Sequence, residues 1–167
     1  TREDLPFLRS MLWAAAFWQE PSEANYAEGD LERHDLAFLL EDWGRPGDTG
    51  LVAETENGEP LGTAWYRFWT DERHFYGYVS PEIPELGIAV AGHARGRGIG
   101  TRLMDELLRI AVENGLEAVS LSVVPENPAL RMYERFGFRK VGERGDAWVM
   151  VRKIDDPAII DQAVSSL

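Results

Sequence analysis

The chain contains no cysteine, which excludes disulfides, thiolate metal sites and a cysteine nucleophile. Only three histidines are scattered over 167 residues, so no bound metal is expected. Positive charge is scarce as well, with 17 Lys and Arg against 29 Asp and Glu and a formal net charge of −12. That balance argues against nucleic acid as a partner, because a phosphate backbone needs a basic surface. No apolar run approaches a membrane span. The opening Thr1-Arg2-Glu3-Asp4 has neither the basic nor the apolar region of a secretory signal. The expected setting is therefore the cytoplasm, with no membrane partner. Internal repeats and low-complexity stretches are also lacking, and the acidic surface suits solubility first and a cationic or amine-bearing partner second.

With 44% hydrophobic residues, a chain of this length suits one globular domain, expected over 1–154, with 155–167 as a tail or short helix. Leu5, Leu8, Leu12, Ala15 and Ala16 recur at helical spacing, which predicts a helix from about Asp4 to Phe17, with Thr1 and Asp4 as a capping box. A polar loop over Glu20 to Asp30 and a second helix over Leu31 to Asp42 follow, the helix stopped by Gly44 and Pro46. Thr49 to Thr55 and Leu61 to Thr70 read as strands around the Asn57-Gly58 turn. Asp71 to Pro84 reads as a loop. Leu86 to Val90 is a short apolar run, a buried strand. Beyond it come a helix from Arg97 or Gly98 to Asn114 with Gly115 as its C′ residue, and a strand over Ala118 to Val124. A short helix is capped by Asn127 with Pro128 at its first position, and a hairpin of Phe138 to Gly142 with Ala147 to Ile154 closes the pattern.

The most informative segment is Arg95-Gly96-Arg97-Gly98-Ile99-Gly100-Thr101, a basic glycine turn between an apolar strand and an amphipathic helix. Glycines let the backbone approach a ligand closely, and the amides at the helix start point at it with the helix dipole behind them. The turn is built to hold phosphate. Its G-x-G-x-G spacing is not the dinucleotide G-x-G-x-x-G, and no Gly-Lys-Ser/Thr follows, which disfavours a dinucleotide fold and an NTPase.

A second signature lies downstream, Asn127-Pro128-Ala129-Leu130-Arg131-Met132-Tyr133-Glu134-Arg135-Phe136-Gly137-Phe138. Together the two resemble the GNAT superfamily of acyl-CoA-dependent N-acetyltransferases. Arg95, Gly98 and Gly100 match that family's R/Q-x-x-G-x-G/A pyrophosphate loop. The second segment is similar to its N-x-A-x-x-L-Y-x-x-x-G-F helix, with Met132 in place of leucine. The order of elements also matches over almost the whole chain. Such proteins usually begin with a strand before the first helix, and here that strand is missing. The fold implied is a single α/β (α+β) domain of three α-β-α layers, around a mixed, mostly antiparallel sheet splayed at the cofactor strands.

The resemblance implies acetyl transfer from acetyl-CoA to a primary amine of a small molecule or peptide, by direct attack in a ternary complex, in a protein that pairs as a homodimer. A non-catalytic acyl-CoA-binding sensor is the alternative. Backbone groups of Ile88 and Val90 would hold the pantetheine arm. The amides of Arg95, Gly96, Arg97, Gly98, Ile99, Gly100 and Thr101 would hold the diphosphate, with Asn127 capping its helix or approaching the pantetheine. Tyr133 corresponds to the family's general acid, which protonates the leaving sulfur. Glu85 stands where many members carry a carboxylate base acting through water, and burial beside Leu86 would raise its pKa toward that use. Glu82 lies close by, Ser122 could relay through water, and His93 is a titratable imidazole in the phosphate turn. Trp18, Tyr66, Phe75 and Tyr78 are the aromatics expected to line the acceptor site. Strand alternation sets Trp65 and Arg67 on one face and Tyr66 and Phe68 on the other.

Overall fold

A computed structural model describes residues 3–19 and 26–154. The expected tail over 155–167, Thr1 of the expected capping box and most of the expected polar loop lie outside them. The chain divides into two compact units, Thr1–Arg67 with Gly87–Leu107, and Phe68–Leu86 with Leu108–Leu167.

The first unit opens with α1 (Leu5–Ala16), which has Asp4 at its N-cap and a proline in its first turn. Of the predicted stripe Leu8 and Leu12 are buried, whereas Leu5 and Ala15 are half-buried and Ala16 is exposed; Met11, Trp13 and Ala14 are buried in addition. Met11 and Ala14 enter a buried cluster with Leu61, Ala89, Ala91 and Ala94, against which Phe7, Val90 and Ile99 pack. Strands β1 (Thr49–Glu54) and β2 (Pro60–Arg67) form the expected antiparallel hairpin. Its turn is closed by the Gly58 N–H on the Thr55 carbonyl and the Thr55 N–H on the Glu59 carbonyl, both at 2.9 Å.

Two expectations fail in this unit. The second helix is broken into a single turn, α2 (Asp30–Arg33), and a 3-10 turn at Ala37–Leu40. The break has a backbone cause: Asp35 and Asp42 take φ of 53° and 51°, which a continuing right-handed helix excludes. The Leu36 N–H turns back to the Leu31 carbonyl at 2.7 Å instead. The other difference is at the end of β2. Trp65, Tyr66 and Arg67 are all buried, because the strand is covered on both faces, and it ends at Arg67 rather than Thr70.

Arg67 is held by complete hydrogen bonding. Its Nε and Nη2 donate to the two carboxylate oxygens of Asp48 at 3.0 Å each, Nη1 donates to the Leu39 carbonyl at 2.8 Å, and Nη2 to the Glu41 carbonyl at 2.6 Å. The Trp43 ring covers the guanidinium at 5.6 Å. A charge out of water survives only when paired and bonded in this way.

Strand β3 (Glu85–Val90) and helix α3 (Ile99–Glu113) contribute residues to both units. In the second unit, Glu85 of β3 pairs in parallel with Ser120 of β4 (Ala118–Val123). β4 runs antiparallel to β6 (Ala147–Lys153), and β6 antiparallel to β5 (Arg139–Arg144). Hydrogen bonding thus gives the order β1-β2-β3 in the first unit and β3-β4-β6-β5 in the second, a mixed, mostly antiparallel α/β arrangement as expected. The last helix, α4 (Leu130–Arg135), starts later than its sequence suggests, with Ala129 at the N-cap. Asn127 forms a turn ahead of it, its Oδ1 accepting the Ala129 N–H at 2.9 Å. This moves Pro128 out of the first helical position.

Candidate active site

The anion turn belongs to the first unit. Gly92–Ala94 make one 3-10 turn, and Arg95 leaves it extended. Gly96 and Gly98 then take φ of 71° and 76°, the left-handed region that favours glycine. The space beside each, where a Cβ would stand, is open. The first amide of α3 with a helical partner is that of Arg102, bonded to the Gly98 carbonyl at 3.1 Å. The N–H groups of Ile99, Gly100 and Thr101 precede it and have no acceptor within the helix ladder. They carry the positive end of a 15-residue helix. Arg95 and Arg97 are exposed, and the Arg95 Nε donates to the Val90 carbonyl at 3.1 Å, which ties the turn to the end of β3. An open, solvent-facing cradle of amides and arginines fits a diphosphate. Ile88 and Val90 are half-buried on β3.

A different chemistry is built into the second unit. Glu85 is 7% exposed. Its Oε1 accepts the Gly77 N–H at 2.6 Å, while Oε2 is buried with no hydrogen-bond partner. Loss of hydration pushes the carboxyl up to about 7, against the Gly77 N–H, the Arg144 charge, the Trp69 indole and the Ser122 hydroxyl, which favour the ionised form. The close approach requires glycine at 77. A Cβ there would stand 2.6 Å from the Glu85 Oε1 and 2.6 Å from the Leu121 carbonyl carbon.

Tyr133 is buried on α4, its ring meeting Phe138 edge-on at 5.9 Å. Burial alone raises its phenol above the ordinary value, so the group stays protonated at neutral pH. Ser122 is half-buried on β4, beside the Glu85 carboxyl. Glu82 is exposed. His93 is exposed on the anion turn, its Nε2 4.0 Å from the Glu59 Oε1.

The aromatics expected to face an acceptor are divided between the units. Trp18 is half-buried after α1, and Tyr66 is 1% exposed within the first unit. The Tyr66 ring is almost wholly enclosed by the protein. Phe75 is half-buried in the second unit. Tyr78 stacks on His74 at 4.5 Å and donates its hydroxyl to Asp71 at 2.6 Å. Burial first, then Asp71, pushes that phenol up to about 12. Sequence reasoning missed two residues, Gly77 and Arg144. The Arg144 Nη1 donates to the carbonyls of Phe75 and Tyr76 at 2.8 and 3.1 Å, and Nη2 to that of Tyr78 at 3.4 Å. No signal in the sequence links positions so far apart. Among the described residues no cluster of His, Asp and Glu could hold a metal ion, and no helix is long and apolar enough to cross a membrane.

A mixed α/β sheet protein with an anion turn opening its longest helix is the class that these features define. The chain belongs to the Acetyltransferase (GNAT) family, whose family model matches residues 6–138. It is 39% identical over 122 residues to the L-2,4-diaminobutyric acid acetyltransferase of Nocardia farcinica, a match covering 70% of this chain and 54% of that protein. The chain spans about half the length of the curated relatives it matches. Among solved structures it is similar to the ribosomal-protein-alanine N-acetyltransferase of Brucella melitensis, with 29% identity, 92% and 96% of the two chains covered and a TM-score of 0.64. The PaiA N-acetyltransferase of Thermoplasma acidophilum, solved in complex with coenzyme A, shares the fold at 19% identity and a TM-score of 0.65, with 90% and 93% of the two chains covered.

Proposed function

We propose that this protein transfers the acetyl group of acetyl-CoA to the primary amine of a small molecule. The observation that carries the reading is the buried Glu85 carboxyl, with one oxygen on the Gly77 N–H and the other without a hydrogen-bond partner, which burial pushes up to about 7. An attacking amine must be neutral, and a base with a pKa near the working pH removes its proton most effectively. Membership of the family and the small-amine name of the Nocardia relative support the acceptor class. Peptide amines, self-pairing and a cytoplasmic setting rest on the family resemblance and on sequence composition.

In this reading the amides from Gly96 to Thr101, with Arg95 and Arg97, hold the diphosphate, and backbone groups of Ile88 and Val90 hold the pantetheine arm. Bound acetyl-CoA supplies an activated thioester. Glu85 takes the proton of the attacking amine, with Ser122 able to order a relaying water. Tyr133, kept protonated by burial, donates its proton to the departing sulfur. Trp18, Tyr66, Phe75 and Tyr78 are the aromatic candidates for the acceptor site.

Acetyl-CoA at concentrations far above micromolar should raise the melting temperature, because a ligand that binds only the folded state stabilises it. A panel of small amines and peptide amines, read by release of free CoA, should then give turnover with a small amine. No thermal shift would sink the cofactor reading. A shift without CoA release from any acceptor would favour the non-catalytic sensor. Tyr133→Phe should lower kcat roughly 100-fold and leave the acetyl-CoA thermal shift unchanged. Wild-type turnover in that variant would remove the phenol from the reaction.

A further inference from the structure

We propose that Arg144 is a positioning residue: it grips the 74–78 turn so that the Gly77 N–H meets the Glu85 carboxyl and keeps that base in its working form. The inference rests on the reading of Glu85 as the base. Its geometry lies within the second unit. Arg144 ends β5 and reaches three acceptors of the turn, the carbonyls of Phe75, Tyr76 and Tyr78. Its Nη1 also lies 3.3 Å from the His74 Nδ1. Three carbonyls on one planar cation fix the turn's backbone far more tightly than a single bond could. Between those carbonyls lies Gly77, the residue whose N–H enters the interior to meet Glu85.

Further contacts secure the rest of the turn. Tyr78 stacks on His74 and donates to Asp71, and Gly145 of the β5–β6 turn comes close to the Tyr76 ring, with space for a Cβ only 3.6 Å away. Arg144 therefore acts on Glu85 in two ways, through its charge and through the amide it aims. Both favour the carboxylate, and both oppose the dehydration that pushes the group up. The groups facing Glu85 are Arg144 from β5, Ser122 from β4, and Trp69 and the Gly77 N–H from the 68–84 segment. Asp71, Glu72 and Glu82 bear on Tyr78 nearby.

The test is a direct titration of Glu85 in the full chain carrying 13C-labelled glutamate carboxyls, with the resonance assigned by its loss in Glu85→Gln. Wild-type protein should titrate near pH 7. Arg144→Gln should move the midpoint upward by about one pH unit, and the acid limb of kcat/KM should follow. Arg144→Lys, which keeps the charge but not the fork, should give an intermediate shift. Gly77→Ala, with Arg144 intact, should move the midpoint in the same direction. If Arg144→Gln does not fold, the other two variants decide. An unchanged midpoint in folded variants overturns the proposal, and so does a fall in kcat with the acid limb fixed. Full activity in Glu85→Gln, with the midpoint shifts present, would instead overturn the base reading and leave the clamp standing.

Discussion

Replacing Glu85 by glutamine should lower kcat by roughly 10²- to 10⁴-fold, the range for losing a positioned general base, while the acetyl-CoA thermal shift persists. The acid limb of the wild-type profile, expected near pH 7, should vanish in what activity remains. The same substitution should stabilise the fold in a pH-dependent way. The carboxyl has a folded pKa of about 7 against 4.5 for the free group. Between those values the unfolded chain is ionised while the folded chain holds its proton, so raising the pH weakens the fold. The penalty is absent below about 4.5 and complete above about 7, with a ceiling of about 3 kcal/mol. Glutamine never ionises and escapes it. Melting curves should therefore place Glu85→Gln above wild type at pH 8, with the two converging toward pH 5. A gap that does not widen with pH would show that burial does not set this carboxyl.

The second large effect concerns stability alone. Arg67→Met should cost about 3–5 kcal/mol, the range for removing one partner of a buried ion pair. The Asp48 side chain is 2% exposed, and the carbonyls of Leu39 and Glu41 would lose the donors they have in Arg67. Arg67→Lys should recover little of this, since an ammonium cannot bond a carboxylate along two edges while reaching two carbonyls. Urea unfolding of both variants measures it. A loss under about 1 kcal/mol would mean that Asp48 is satisfied by its remaining neighbours, the Gly44 N–H at 3.0 Å and Arg45 at 3.7 Å.

These two residues also mark how far the sequence could be read. Local signals transferred well. The Asn57-Gly58 turn, helix α1 itself, Gly115 closing α3 and the glycine turn before it all appear where turn chemistry and periodicity place them. The position of Glu85 at the edge of an apolar strand was legible for the same reason, but its burial was not, because a glutamate at a strand end is as readily exposed. Nor was the setting of Arg67 legible. Alternation assigns Arg67 a face but not a partner, and its partners lie 19 to 28 residues away. Arg144 is harder still, at 66 to 70 residues from the atoms it holds. Neither pairing has a period or a spacing. The broken second helix is an intermediate case: its apolar content was visible, but the left-handed Asp35 and Asp42 were not, since aspartate adopts that region only in particular contexts.

For anyone redesigning this protein toward other amines, the missing side chain at position 77 divides its loop unequally. Backbone and carboxylate fill the space that any larger residue would need, so that position is closed to variation if the base is to keep its setting. Tyr76 and Val79, on either side, stand 44% and 41% exposed. Side chains at those two positions lie outside the groups that face Glu85, so variation there is expected to leave the setting of that carboxyl unchanged.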